Sequence, residues 1–210
     1  MTLEIEIKNQ LFILHNSGAI YWVEKKLLLI SDVHLGKISH FRKHGSALPT
    51  GPIKQNFLNL DEVIVYFNPD KICFLGDLFH SNLNKEWILF AEWVKRMALP
   101  TVLVAGNHDI IDSRKYEALG IKIVEELIID DFFLTHYPSK RAHFFNLSGH
   151  LHPAVVLTGV GRQFLKLSCF FRSSWQMVLP AFGEFTGNFI VQPETGDIIY
   201  VITPENVMEI

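Results

Sequence analysis

Four short apolar runs in this chain stop abruptly on Asp, Asn or His, and that pattern limits the fold more than any other feature. Leu27 to Ile30 ends at Ser31-Asp32, and Ile72 to Leu75 at Gly76-Asp77. Val102 to Ala105 ends at Gly106-Asn107-His108, and Phe132 to Leu134 at Thr135-His136. Runs of three or four apolar residues bounded by polar ones read as buried strands. Helical periodicity lies between them. Ile53, Phe57, Leu60, Ile64 and Phe67 keep i, i+3/i+4 spacing and stop at Asn68-Pro69. Asn84 can cap a second helix that turns Trp87, Ala91, Val94 and Met97 inward, and Ser113 to Leu119 is a shorter one ended by Gly120. Strands alternating with helices predict an α/β core.

After residue 160 the texture changes. Phe164 to Phe171, Trp175 to Leu179, Asn188 to Gln192 and Ile198 to Ile202 read as strands separated by turns. With no linker in view, this predicts a second sheet packed on the first, in one domain spanning residues 1–210. The chain of 210 residues is 49% hydrophobic and 20% charged, which excludes a disordered polymer. Nineteen Lys and Arg against 22 Asp and Glu give a net charge of -3, which excludes a general basic coat for nucleic acid. Cys73 and Cys169 both sit in apolar runs and read as buried thiols. No apolar run approaches the ~18 residues of a membrane helix. The start, MTLEIEIKNQ, has two glutamates and no apolar segment, so no signal peptide, no membrane association and a cytoplasmic location are expected.

The polar residues after the strand runs carry the chemistry. In an open α/β sheet the loops at the carboxyl ends of strands meet in one crevice. Five segments, the last being Gly149-His150-Leu151-His152, would therefore bring Asp32, His34, Asp77, Asn107, His136, His150 and His152 together. Each motif alone has an ordinary reading; Gly-Asn-His, for instance, suits a turn. Five in order, four directly after strand-like runs, point to a site. Their oxygen and nitrogen donors suit manganese, iron or zinc. Seven ligands exceed one ion, but a shared carboxylate would let them hold two, about 3.5–4 Å apart.

This ordered set resembles the calcineurin-like metallophosphoesterase superfamily, whose signature is Asp-x-His, Gly-Asp, Gly-Asn-His-Asp or -Glu, His, and Gly-His-x-His. Further stretches look like the bacterial ligase-associated phosphoesterases of DNA-damage-response gene clusters. They include Leu35-Gly36-Lys37 with His40-Phe41-Arg42, Gly76-Asp77-Leu78-Phe79-His80-Ser81, and Leu179-Pro180-Ala181-Phe182-Gly183-Glu184-Phe185-Thr186-Gly187. The resemblance implies a four-layer αββα sandwich of two mixed sheets flanked by helices. It implies two divalent ions, manganese first with iron or zinc as alternatives. Asp32, His34, Asp77 and His152 would hold one ion, and Asp77, Asn107, His136 and His150 the other. His108 would protonate the leaving oxygen and Asp109 would orient it.

By this reading the chain is a phosphodiesterase using a metal-bridging hydroxide. The resemblance makes it a DNA endonuclease in repair, acting on single-stranded or duplex DNA in association with a DNA ligase and a helicase. Basic residues beside the motifs, Lys37 and Arg42 after the first and Arg141 after His136, would contact the phosphate backbone, with His80 beside the metals. Glu125-Glu126 and Asp130-Asp131 are expected on the opposite face, and Phe144 or Phe145 could stack on bases. A small-molecule phosphohydrolase, acting on a cyclic nucleotide or a nucleotide-linked lipid precursor, is the main alternative. An inactive binding scaffold is a further one, but its mark would be missing ligands and none is missing.

Overall fold

The computed structural model describes residues 1–37, 51–80, 83, 85–161, 163–183 and 186–210. Arg42, the neighbouring His40 and Phe41, and the expected cap Asn84 lie outside them. Among the described residues, the chain opens with three antiparallel strands, β1 (Thr2–Ile7), β2 (Gln10–His15) and β3 (Ile20–Trp22). These feed antiparallel into β4 (Leu27–Ile30), after which β5 (Lys71–Leu75), β6 (Thr101–Val104) and β7 (Ile121–Val124) add in parallel. The sheet order is β1-β2-β3-β4-β5-β6-β7. Among the described residues, three helices, α1 (Gly51–Phe67), α2 (Lys85–Met97) and α3 (Ser113–Glu117), lie in turn between the parallel strands. Parallel neighbours need such crossovers, and right-handed crossovers stepping one way along a sheet place the helices on one face.

A second mixed sheet follows: β8 (Leu127–Ile129), β9 (Phe132–Leu134), β10 (Phe145–Ser148), β11 (Pro153–Gly159), β12 (Gln163–Arg172), β13 (Gln176–Val178), β14 (Phe189–Ile190), β15 (Ile198–Ile202) and β16 (Val207–Glu209). Its main order is β14-β11-β12-β13-β10-β9-β8, with β15 pairing β12 and β16. Strands β9, β10 and β13 run parallel. The fold is thus α/β with two mixed sheets, as the sequence and its resemblance imply. Among the described residues no helix is long and apolar enough to cross a membrane.

Side-chain alternation in the central strands explains the layering. Leu28, Ile30, Ile72, Phe74 and Leu103 join Leu60, Val63, Phe90, Trp93 and Tyr116 of the helices in one core. Leu27, Leu29, Cys73, Leu75 and Val104 point the other way, onto Phe132, Leu134, Phe145, Leu147 and Phe170 of the second sheet. Phe145 is therefore a core residue, not a base-stacking one. A sheet buried on both faces reads as a continuous apolar run, which is why these strands were legible. Both cysteines are free and buried. The outer face of the second sheet gathers Val155, Cys169, Val191, Ile199 and Val201 into a smaller cluster.

Helix α1 keeps the expected face and ends at Phe67, with Asn68 in the left-handed region (φ 45°) donating its N–H to Ile64 O at 2.8 Å. Helix α2 keeps Val94 buried with Trp87 and Met97 packed against the same core, and its buried face extends further round to Glu86, Phe90 and Trp93. Two polar ties hold that extended face. The Glu86 carboxylate accepts the Gly36 N–H at 2.6 Å, and the Trp93 indole donates to Asp61 of α1 at 2.8 Å.

His15 shows how burial couples this fold to pH. Its Nδ1 accepts the Ser17 N–H at 3.1 Å, and its ring packs against Tyr66 and Phe67. Burial, then the nearby N-terminal ammonium, lowers its pKa to about 4. The folded value lies below the unfolded one, so the unfolded chain binds the extra proton and stability is lost as pH falls from 6.5 towards 4. With solvent screening at the ring edge, we expect a loss of about 1–2 kcal/mol over that window. Urea midpoints at pH 7 and pH 4.5 should show it, and His15→Gln should flatten the difference; an unchanged difference in that variant would count against the assignment.

Candidate metal centre

The carboxyl ends of β4, β5, β6, β9 and β10 point the same way, and the loops leaving them carry Asp32 to Lys37, Gly76 to His80, Gly106 to Asp109, His136 and Gly149 to His152. Two clusters form there: Asp32 with His34 and His152, and Asp77 with His136 and His150. Asp77 lies between them. Its Oδ2 is 3.8 Å from His34 Nε2 in the first cluster, and its Oδ1 is 3.4 Å from His136 Nε2 in the second. Asn107 Oδ1 approaches His136 Nε2 at 3.2 Å, and so does His150 Nδ1. In the first cluster His152 Nε2 lies 3.2 Å from Asp32 Oδ1 and 3.3 Å from His34 Nε2. All seven sequence-predicted ligands are therefore brought to one place.

These contacts are wrong for a self-contained hydrogen-bond network and right for a cation. His136 Nδ1 donates to Leu75 O and His152 Nδ1 to Gly187 O, both at 2.9 Å. A carbonyl only accepts, so in the neutral ring each Nε2 bears a lone pair, and it faces other acceptors. Asp32 Oδ1 is buried with no hydrogen-bond donor aligned on it. Inward lone pairs with the far nitrogen tied to a carbonyl are the outer-shell pattern of metal-ligating histidine. Donors bound at about 2.0–2.2 Å to one ion sit roughly 3–3.4 Å apart, and the closest pairs here match. Asp32 and Asp77 are 0% and 2% exposed; such charges must be paired or coordinate metal.

The imidazoles respond to this crowding. Burial, then His152, drives the His34 pKa far down, and burial and His136 lower that of His150. Both shifts keep the neutral, ligating form. His152 is the exception: burial lowers its pKa, but the Asp32 carboxylate outweighs it and the net shift is upward.

Each carboxylate is also pinned by backbone. His108 N–H donates to Asp77 Oδ1 at 2.9 Å, and His150 N–H to Asp32 Oδ2 at 2.8 Å. The residue before each donor pair must let the chain come this close. A Cβ on Gly106 would collide with Asp77, and one on Gly149 with Asp32 and Ser31. The candidate ligands themselves are strained: Asp32, His34, Asp77, His150 and His152 have φ between 49° and 70°. For non-glycine residues this costs on the order of 1 kcal/mol or more each, and such strain gathers at functional sites.

The remaining sequence candidates fall as follows. His108 is half-buried, stacked on His80 with centroids 4.7 Å apart. His80 Nδ1 lies 3.4 Å from His34 Nδ1. Lys37 is half-buried; burial lowers its pKa, while Asp77 and Asp32 act to raise it. Asp109 differs from expectation. Its carboxylate accepts the Phe79 and Gly106 N–H groups at 3.1 and 2.9 Å, so it ties two site loops together instead of orienting the His108 ring. Burial pushes its carboxyl up to about 6. Arg141 also differs. It pairs with Glu126 at 2.8 Å and lies over the Phe133 ring, so Glu126 is its partner and not a group on an opposite face. Sequence reading missed Tyr137, whose exposed ring packs 4.3 Å from that of His150. Its position directly after His136 was the available signal.

Comparison with known proteins supports the same chemistry. A family model described as calcineurin-like phosphoesterase matches residues 25–172. The crystal structure of Pseudomonas putida nuclease MPE superposes with a TM-score of 0.86 at 31% identity, covering 100% of both chains. A probable glycerophosphodiester phosphodiesterase, GpdQ of Arcobacter nitrofigilis, is 36% identical over 69 residues, which are 30% of this chain and 25% of that protein. The chain thus matches about a quarter of that curated relative's length.

Replacing the residue between the clusters tests the arrangement. Asp77→Asn should bind metal more weakly at both clusters, seen as loss of both equivalents by elemental analysis after dialysis. Two equivalents retained would show that Asp77 is not shared.

Proposed function

The chain belongs to the calcineurin-like phosphoesterase family, and on that premise we propose that it is a two-metal phosphodiesterase acting on DNA. The observation that carries this reading is Asp77, which turns one oxygen to each cluster. Asp32, His34, Asp77 and His152 would hold one ion, and Asp77, Asn107, His136 and His150 the other. Manganese is the ion we propose for this mixed oxygen and nitrogen set. Two such cations supply Lewis acidity and acidify a water towards neutral pH.

The protein's own groups do the rest. Asp32 and Asp77 offset part of the cation charge, and neutral Asn107 adds an oxygen donor without cancelling more. His108 is held at its backbone by Asp77 and at its ring by His80, which leaves an imidazole at the edge of the site to protonate a leaving alkoxide. Lys37 and His80 stand beside the clusters and are the substrate contacts we propose, with Arg42 on the segment that follows. Arg141 is engaged with Glu126 and contributes through that loop.

DNA as substrate is supported by the likeness to a nuclease along the whole chain. A role in repair, and association with a ligase and a helicase, rest on the motif resemblance alone. A second reading, a small phosphodiester such as a glycerophosphodiester, is supported by the match to GpdQ. One assay separates them. With manganese, bis-(p-nitrophenyl) phosphate, p-nitrophenyl phosphate, single-stranded and duplex DNA, cyclic nucleotides and glycerophosphodiesters are compared in parallel. DNA cleavage is the expected result, and diester hydrolysis with no DNA nicking would favour the small substrate. His108→Ala should lose about 10²–10⁴-fold in rate on unactivated diesters while keeping both metals. Full activity in that variant would remove it as the acid.

A further inference from the structure

Tyr137 stands at the metal centre but outside both clusters. Its ring packs 4.3 Å from that of His150 and 4.9 Å from that of His136, yet the residue is 47% exposed. A side chain that only sealed these imidazoles from water would bury more of itself. This one rests against His150 and leaves nearly half its surface open beside the metals.

The backbone beneath the ring is fixed. Asn146 is 1% exposed and donates from Nδ2 to Phe133 O at 2.7 Å and to Thr135 Oγ1 at 2.8 Å, while its Oδ1 accepts the Ser139 N–H at 3.1 Å. Thr135 Oγ1 in turn donates to Tyr137 O at 2.6 Å, and His136 O accepts the Gly149 N–H at 3.1 Å. The loop from 135 to 139 is thus tied on both sides of the ring. A ligand meeting a pre-positioned side chain loses less binding energy to ordering.

The ring's place also gives it a direction. The His108 ring lies with those of His80 and His34, centroids 4.7 and 5.6 Å away, on the side of the first cluster. Tyr137 lies on the other side, against His136 and His150 of the second. A phosphodiester held between the clusters with its leaving oxygen at His108 therefore extends its other ester group towards Tyr137. A flat exposed ring suits a flat group, and every nucleobase offers a π-face whatever its sequence context. A methyl or glycerol group gains far less from it.

Granted the two-metal phosphodiesterase reading above, we propose that Tyr137 is the stacking platform for the base of the retained nucleoside. It is a specificity-determining residue that favours nucleoside diesters over small aliphatic ones.

Two diesters with manganese test this: the p-nitrophenyl ester of thymidylate and p-nitrophenyl methyl phosphate. They share a leaving group and differ in what is retained. In the wild type kcat/KM should favour the nucleoside diester. In Tyr137→Ala that preference should fall by roughly 5- to 150-fold, the range of one lost base–aromatic stack, mostly through KM. Tyr137→Leu keeps apolar bulk against His150 and should lose the preference too, whereas Tyr137→Phe should retain it. Elemental analysis should find two manganese ions per chain in every variant. A wild type with no such preference, a preference unchanged in the Ala and Leu variants, or one lost equally in Tyr137→Phe would overturn the platform and leave the phosphodiesterase reading standing. So would loss of manganese in the Ala and Leu variants alike, which would make the ring a shield for His150. A wild type that hydrolyses neither diester would overturn both.

Discussion

Asp32 and Asp77 are two carboxylates held almost wholly out of water, and the structure around them makes sense as an answer to that charge. A buried anion costs several kcal/mol unless it is paired or coordinated. One backbone N–H on each, from His150 and His108, supplies a fraction of what water would give. The remaining oxygens face imidazole lone pairs, not donors. A neutral apolar pocket would not tolerate this, and a network built for stability alone would have turned the rings round. The carbonyls of Leu75 and Gly187 hold two of them as they are.

The two sheets must stay in register for that cage to exist, because the ligands come from both. At the site end the chain crosses between them repeatedly. Phe182 and Gly183 donate their N–H groups to Ser31 and Asp32 carbonyls at 3.0 and 3.1 Å, and Ser31 Oγ donates to Pro180 O at 3.1 Å. The segment after β13 thus carries the backbone that bears Asp32, and Gly187 of the same segment positions His152. The Leu179 to Gly187 stretch carries part of the family resemblance, and its described residues 180, 182, 183 and 187 bond directly beneath the candidate ligands. On the other side, Phe12, Trp22 and Phe132 meet with centroids 4.7 to 5.1 Å apart and fasten the N-terminal hairpins to the second sheet.

The central parallel strands and the residues that converge at the candidate metal centre were legible because both are local signals. A strand buried on two faces writes an unbroken apolar run, and the residue that follows it is at the strand's carboxyl end whatever the sheet order. What was hidden is what depends on distance. Strands β1 and β10 mix polar and apolar residues with no such run, and β2 and β11 hold runs, Leu11 to Leu14 and Ala154 to Leu157, that passed unnoticed because no metal-type motif made them stand out. Nothing local marks Glu86 as the acceptor of the N–H of Gly36, 50 positions earlier. Arg141 and Glu126 read as opposed groups because nothing in the sequence reveals that the turns bearing them are neighbours. The resemblance made Asp109 the partner of His108, whereas its carboxylate accepts the N–H groups of Phe79 and Gly106.

The left-handed backbone at five of the ligands has a consequence for how this protein can change. Each of those residues is held in a conformation that glycine would adopt freely and that an aspartate or histidine resists. Replacing one of them with glycine would relax the loop and remove a buried lone pair at one stroke. In the absence of metal such a glycine variant should therefore outlast the parent on heating, so selection for the endurance of the metal-free chain alone would erode this cluster first.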